Sequence, residues 1–225
     1  PSEMVITSVG NIPFHKLVSL AEKYFGAITD SPQSKYREPF RNYRPKQRII
    51  QNNTNQAHCI IGNITYDMHH PKKMVMALLD NIIAGPGLTS RLNMLLREKL
   101  GYVYNIESNY VAFSDVGLFS VYFGTDKTRL NKTLDHIRKE FERLCNNQLG
   151  KIQLSKAKRQ LFGQLAISAE NSVVRMLGYG KNYLMLNQID SLKELEKKIE
   201  GITAEELRIT ANEVLDPNRL TTLIY

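Results

Sequence analysis

The spacing of apolar residues changes character at Asp126, from the alternation of a strand pair to a helical pattern that runs almost to the end of the chain. Before it, residues 117–124 (Gly-Leu-Phe-Ser-Val-Tyr-Phe-Gly) alternate with the two-residue period of a half-buried strand. Residues 102–113 alternate more loosely, and Ser114-Asp115 between the two runs predicts a hairpin turn. After Asp126 the period is helical, in segments near 127–146, 151–169, 171–187, 191–200 and 203–215. Gly150, Asn187, Asp190 and Gly201 punctuate them, and Thr203 with Glu206 has the spacing of a capping box. Residues 220–225 (Leu-Thr-Thr-Leu-Ile-Tyr) read as a last strand.

The first half of the chain supplies the remaining elements. Residues 48–66 look extended. Pro71 then marks a helix start, with an apolar stripe through Met74, Val75, Leu78, Leu79, Ile82 and Ile83. The Gly85-Pro86-Gly87 loop ends that helix, and Thr89-Ser90 are expected to cap a second one carrying Leu92, Leu95, Leu96 and Leu100. Further upstream, residues 4–10 read as a buried strand and 14–26 as a helix closed by Gly26. The strands 4–9 and 220–225, each following a short polar lead, echo one another as if each closed an equivalent domain. The expected organisation is therefore a terminal strand and helix (1–28) of a preceding, mostly absent domain, then a linker (29–44) rich in proline and basic residues. An α+β domain (45–225) follows, with a mainly antiparallel sheet packed against helices.

Composition excludes several classes. No apolar run approaches the ~18 residues of a membrane-spanning helix. Cys59 and Cys145 are the only cysteines, too few for a disulfide framework or a Cys-rich zinc ribbon, and they read as ordinary thiols. The net charge is +8, but its basic residues are scattered apart from Arg37, Arg41, Arg44, Lys46 and Arg48. Solvated helix faces explain that charge before a polyanion site does, and no aromatic-and-basic module points to nucleic acid. The chain opens at Pro1 without a charged-then-apolar leader and reads as a fragment. No compartment is assigned: the cytoplasm and, for a bacterial source, the periplasm both fit.

The segment 82–104 is the distinctive one. A helix ends in a Gly loop, a second helix starts after hydroxyl residues, and that helix runs through Gly101 into an aromatic strand. Arg97 falls near the end of the second helix and Tyr104 near the start of the strand. Such a corner can set a guanidinium and a phenol, both hydrogen-bond donors, beside an exposed sheet edge where an extended peptide could add as a strand. The bland alternative pairs Arg97 with Glu98 or Glu107 and packs Tyr104 within its sheet, and spacing alone favours it.

The block Gly-Pro-Gly-Leu-Thr-Ser-Arg-Leu…Leu-Arg-Glu-Lys-Leu-Gly-Tyr-Val-Tyr (85–104) resembles the signature of the C-terminal, non-zinc-binding half of pitrilysin/insulinase-family zinc peptidases, which include the mitochondrial processing peptidase and bacterial zinc proteases. Residues 4–26 and 115–124 are similar to the elements flanking that signature, so the resemblance spans essentially the whole chain. It implies the processing-peptidase-like fold. It also implies a zinc site in the other half, built on an inverted His-x-x-Glu-His motif that this sequence lacks. None of the five histidines sits in such a pattern: His69 and His70 are adjacent without a suitably placed Glu, and His136 with Glu140 reads as a helix-face pair.

What the resemblance carries onto this chain is an Arg and a Tyr that reach the substrate backbone, at Arg97 and Tyr104; Tyr102 has the wrong offset from Arg97. Pro86 departs from the Gly found in many relatives, and the short Gly85 loop differs from the long glycine-rich loop of the processing peptidase's non-catalytic subunit. The expected function is the substrate-binding half of a zinc metalloendopeptidase, inactive alone. It holds no metal itself and works with an N-terminal zinc-binding half, on the same polypeptide or a separate subunit, and a peptide substrate. Exposed surfaces left by the absent half favour self-association into a homo-oligomer. The alternative is a structural or assembly subunit of the same fold without peptidase activity.

Overall fold

The computed structural model describes residues 4–29, 38–51 and 54–225. The lead Pro1-Ser2-Glu3 and half of the expected linker (residues 30–37, Arg37 among them) lie outside them. The chain divides into two compact units, one of Pro1–Glu38 with Phe162–Glu196 and one of Pro39–Leu161 with Lys197–Tyr225.

In the first unit, helix α1 (Phe14–Phe25) occupies the predicted span, and its Gly26 cap donates its N–H to the Glu22 carbonyl. Residues 4–9, expected as a strand, form none. A strand is completed only by a neighbour's N–H and C=O groups, which a β-rich composition does not supply. Thr7 instead lies against Gly180, where an added Cβ would meet its Oγ1 at 3.0 Å.

The second unit is built on a five-stranded sheet. Strands β1 (Gln47–Ile49), β2 (Gln56–Thr65), β3 (Val103–Ala112), β4 (Gly117–Asp126) and β5 (Thr221–Ile224) lie in the order β1-β5-β2-β4-β3. Only the β1–β5 pair is parallel. The α+β class with a mainly antiparallel sheet is thus as expected. Alternation places Ala57, Cys59 and Ile61 of β2 and Phe119, Val121 and Phe123 of β4 in the core. Between β3 and β4 the turn closes through Phe113 N–H to the Val116 carbonyl at 2.9 Å. Gly117 is required there, because a Cβ would overlap the Tyr66 carbonyl.

Helix α2 (Lys73–Ala84) lays Val75, Met76, Leu78, Leu79, Ile82 and Ile83 into this core and packs on β3. Helix α3 (Leu130–Asn146) adds Leu134, Ile137 and Phe141, with the Phe141 ring 6.4 Å from that of Phe119. Each such side chain contributes roughly 1.5–3 kcal/mol by leaving water. Next come α4 (Lys151–Glu170), α5 (Ser172–Leu186), α6 (Leu192–Glu200) and α7 (Ala204–Val214). The last begins with the predicted capping box, Thr203 and Glu206 bonding each other's backbone N–H. The buried Asn63 Nδ2 donates to the Val214 carbonyl at 2.7 Å, joining the middle of the sheet to the end of α7. Helices α4 and α6 each contribute residues to both units.

Candidate functional site

Arg97 does not sit on an ordinary α-helix. Arg91 and Leu92 begin helical, and Asn93–Lys99 then continue as a π-helix, whose wider turn recurs at functional sites. The Leu100 N–H reaches five residues back to the Leu95 carbonyl, and the Tyr102 N–H reaches Leu96 at 2.8 Å. Gly101, at φ +58°, supplies the left-handed residue that ends the helix and starts β3. Ser90 does not cap this helix as its position suggested. Its hydroxyl donates to the Gly87 carbonyl at 3.2 Å and accepts from the buried Asn93 Nδ2 at 2.9 Å. Asn93 Nδ2 also reaches the Ile106 carbonyl at 3.3 Å, so one amide ties loop, helix and strand together.

Among the described residues, the strand that follows is the edge of the sheet, paired on one side only, with β4. Its register slips at Tyr104: Val103 faces Thr125 and Asn105 faces Gly124, leaving Tyr104 as the extra residue of a β-bulge. The buried positions record the slip, Val103 and Ile106 being three residues apart instead of two. Tyr104 is turned outward and is 61% exposed, its hydroxyl donating to Asp126 Oδ1 at 3.2 Å. Tyr102, by contrast, is held in structure: its ring packs edge-on to His136 at 5.8 Å and under the Arg129 guanidinium at 5.5 Å.

Beside this edge lies a cleft of about 390 Å³, lined by Arg97 and Asn93 from the π-helix, the Gly85–Gly87 loop, and Asn105, Glu107 and Ser108 of β3. The Arg97 Nε is 3.7 Å from Glu98 Oε1, with both side chains 45% exposed, a loose pairing that costs little to release. Arg97 and Tyr104 therefore flank one stretch of edge strand, but Tyr104 is not among the residues lining the cleft. Among the described residues no direct bond joins the two. Beneath the edge, the Ser108 hydroxyl donates to the Asp80 carbonyl on α2 at 2.8 Å. Burial pushes the Asp80 carboxyl up to about 6, against a smaller opposing effect of a Ser108 hydrogen bond. Sequence reading missed Asp80, Asn93 and the bulge; the three-residue gap between Val103 and Ile106 was the one signal for the last.

The residues do not fit a metal site. Among those described, no three His, Cys, Asp or Glu side chains gather to hold an ion. His58 bonds the Tyr122 hydroxyl through Nδ1 at 2.8 Å, and His70 stacks on Tyr66 with its Nδ1 accepting the Lys72 N–H. Both cysteines are free, with Cys59 fully buried and its thiol pushed up to about 12 by burial.

The family model for the peptidase M16 inactive domain matches residues 1–161. An uncharacterized zinc protease of Streptomyces coelicolor is 28% identical over 96% of this chain, which covers 48% of that protein. The uncharacterized zinc protease YmxG of Bacillus subtilis is 25% identical over all of this chain and 54% of its own length. The chain thus spans about half the length of these curated relatives. In fold it superposes on a peptidase M16 inactive domain from Pseudomonas fluorescens with a TM-score of 0.84, covering 96% of this chain and 52% of that one at 20% identity.

Proposed function

The chain belongs to the peptidase M16 inactive-domain family, and from that premise we propose that it is the substrate-binding, non-catalytic half of a zinc-dependent metalloendopeptidase. The observation that carries the reading is the bulged edge strand: β3 has one side unpaired, Arg97 lines the cleft beside it, and the bulge turns the Tyr104 phenol outward. An extended substrate can add to such an edge through main-chain hydrogen bonds. Arg97 and Tyr104 then donate to its carbonyls, hold it in register and favour negative charge developing on the scissile oxygen.

On this reading the zinc is held by a zinc-binding half, either the remainder of the same polypeptide or a separate subunit; among the described residues no three His, Cys, Asp or Glu side chains gather to hold an ion. Residues 1–28 then complete that half, which accounts for an expected strand at 4–9 that forms none here. Surfaces left open by its absence favour self-association of this chain alone.

The test is peptide cleavage with zinc, comparing this chain alone with the chain plus the rest of its protein. Activity is expected only in the mixture and is lost on chelation. In that complete enzyme, Arg97→Gln and Tyr104→Phe should each lower kcat/KM by about a hundredfold to a thousandfold, as expected when one oxyanion donor is removed. Unchanged cleavage by both variants overturns the assigned roles. A well-folded but silent mixture favours a structural or assembly subunit of the same fold without peptidase activity.

A further inference from the structure

The helix that carries Arg97 has a second working face. Asn93 and Arg97, four apart, line the cleft along β3, whereas Arg91, Met94, Leu95 and Lys99 line a separate groove of about 670 Å³. Its other walls come from α2, from α3 and from the first half of α4. Ile82 and Leu149 are buried in the apolar base, while Met94 is 49% exposed above it. An exposed methionine in an apolar groove adapts to varied side chains.

The charges of this groove are almost all of one sign. Arg91, Lys99, Arg143 and Lys156 face a single carboxylate among the described lining residues, that of Glu140. Both Glu140 oxygens are already occupied: Oε1 accepts from Arg91 at 2.6 Å and Oε2 from Arg143 at 3.1 Å. With only 9% of its side chain exposed, Glu140 acts as a fixed post aligning two guanidiniums whose remaining N–H groups form no other side-chain hydrogen bond among the described residues. Lys99 and Lys156 are exposed and form no ion pair among the described residues. A concave apolar base rimmed by unspent cations is complementary to a segment that alternates apolar and acidic side chains.

We propose that this groove docks an acidic amphipathic peptide segment of a partner protein. The proposal is independent of the peptidase reading. A flat anionic membrane is disfavoured because the cations stand around a recess between helices instead of on a convex face. Since the groove and the Arg97 cleft share one π-helix, an occupant of one bears directly on the segment that positions Arg97.

The test uses the full chain and a fluorescently labelled twelve-residue peptide alternating Leu with Glu, read by anisotropy. The acidic peptide is expected to bind and its Lys-for-Glu counterpart is not. Lys99→Glu with Lys156→Glu, both exposed and harmless to folding, should weaken the acidic peptide at least about tenfold. The same pair of changes should create binding of the basic peptide, an outcome that a folding defect cannot produce. No binding of the acidic peptide overturns the proposal, as does binding indifferent to the double reversal. So does a preference for phosphatidylglycerol vesicles over the peptide that the reversal abolishes.

Discussion

The two units of this chain bury their apolar residues to very different extents. In the first, neither α1 nor α5 has a buried residue, and Phe14, Tyr24, Val173 and Leu177 are all exposed. In the second, α2 alone buries eight residues and the facing strands contribute fully enclosed Phe119 and Phe123. Helical pattern is equally clear in both, so periodicity locates a helix without saying whether a core awaits it. One unit closes on itself, and the other presents apolar faces.

The largest expected effect separates the units directly. Phe119→Ala should cost about 3–5 kcal/mol in urea unfolding, whereas Leu177→Ala, on the exposed face of α5, should stay within about 0.5 kcal/mol. A comparable loss at Leu177 would break the comparison, because it would mean that α5 is buried in solution. If Leu177→Ala becomes costly only when the rest of the protein is present, the comparison is sharpened and the covering surface is identified.

The second effect depends on pH and is confined to the closed unit. The folded-state pKa of Asp80 is raised to about 6, so between its unfolded value near 4 and that point the native chain holds a proton that the unfolded chain has released. Stability therefore falls as pH rises through this window, by roughly 2–3 kcal/mol when the carboxylate is fully ionised. Asp80→Asn should remove that fall, stabilising the chain at pH 7 and making no difference at pH 3. Equal pH profiles for the two proteins would show that the carboxyl is hydrated where it stands between α2 and the edge strand.

The smallest effect compares two helix caps. Thr203→Ala removes the capping box of α7 and should cost about 1 kcal/mol of global stability. Asn171 caps α5 just as locally, its Oδ1 accepting from the N–H groups of Val173 and Val174. Asn171→Ala should instead show mainly as faster amide hydrogen exchange within α5, with little change in the global midpoint. Matching global losses would indicate that both units unfold as one.

Much of this fold was legible because its signals are local. The capping box at Thr203, the left-handed Asn187 that ends α5 at φ 50°, the hairpin turn at Ser114-Asp115 and the apolar stripe of α2 each act over a few neighbouring residues. The resemblance at 85–104 likewise pointed to the right family. Local reading misled at Ser90, whose hydroxyl suits a cap but is taken by Gly87 and Asn93. It also misled at residues 4–9, whose β-rich composition carries no information about a pairing partner.

The sequence by itself determined which segments are helices and which alternate as sheet, because hydrogen bonds within a turn and the side-chain period of two or 3.6 are written into adjacent residues. Only the tertiary structure decided that β3 is the edge, that Tyr104 is the bulged residue, and that the helix bearing Arg97 is wound as a π-helix with a cleft on one face and a groove on the other. Strand order and register are choices among non-local pairings, settled by how Phe119, Ile106 and the α2 stripe fill a shared core.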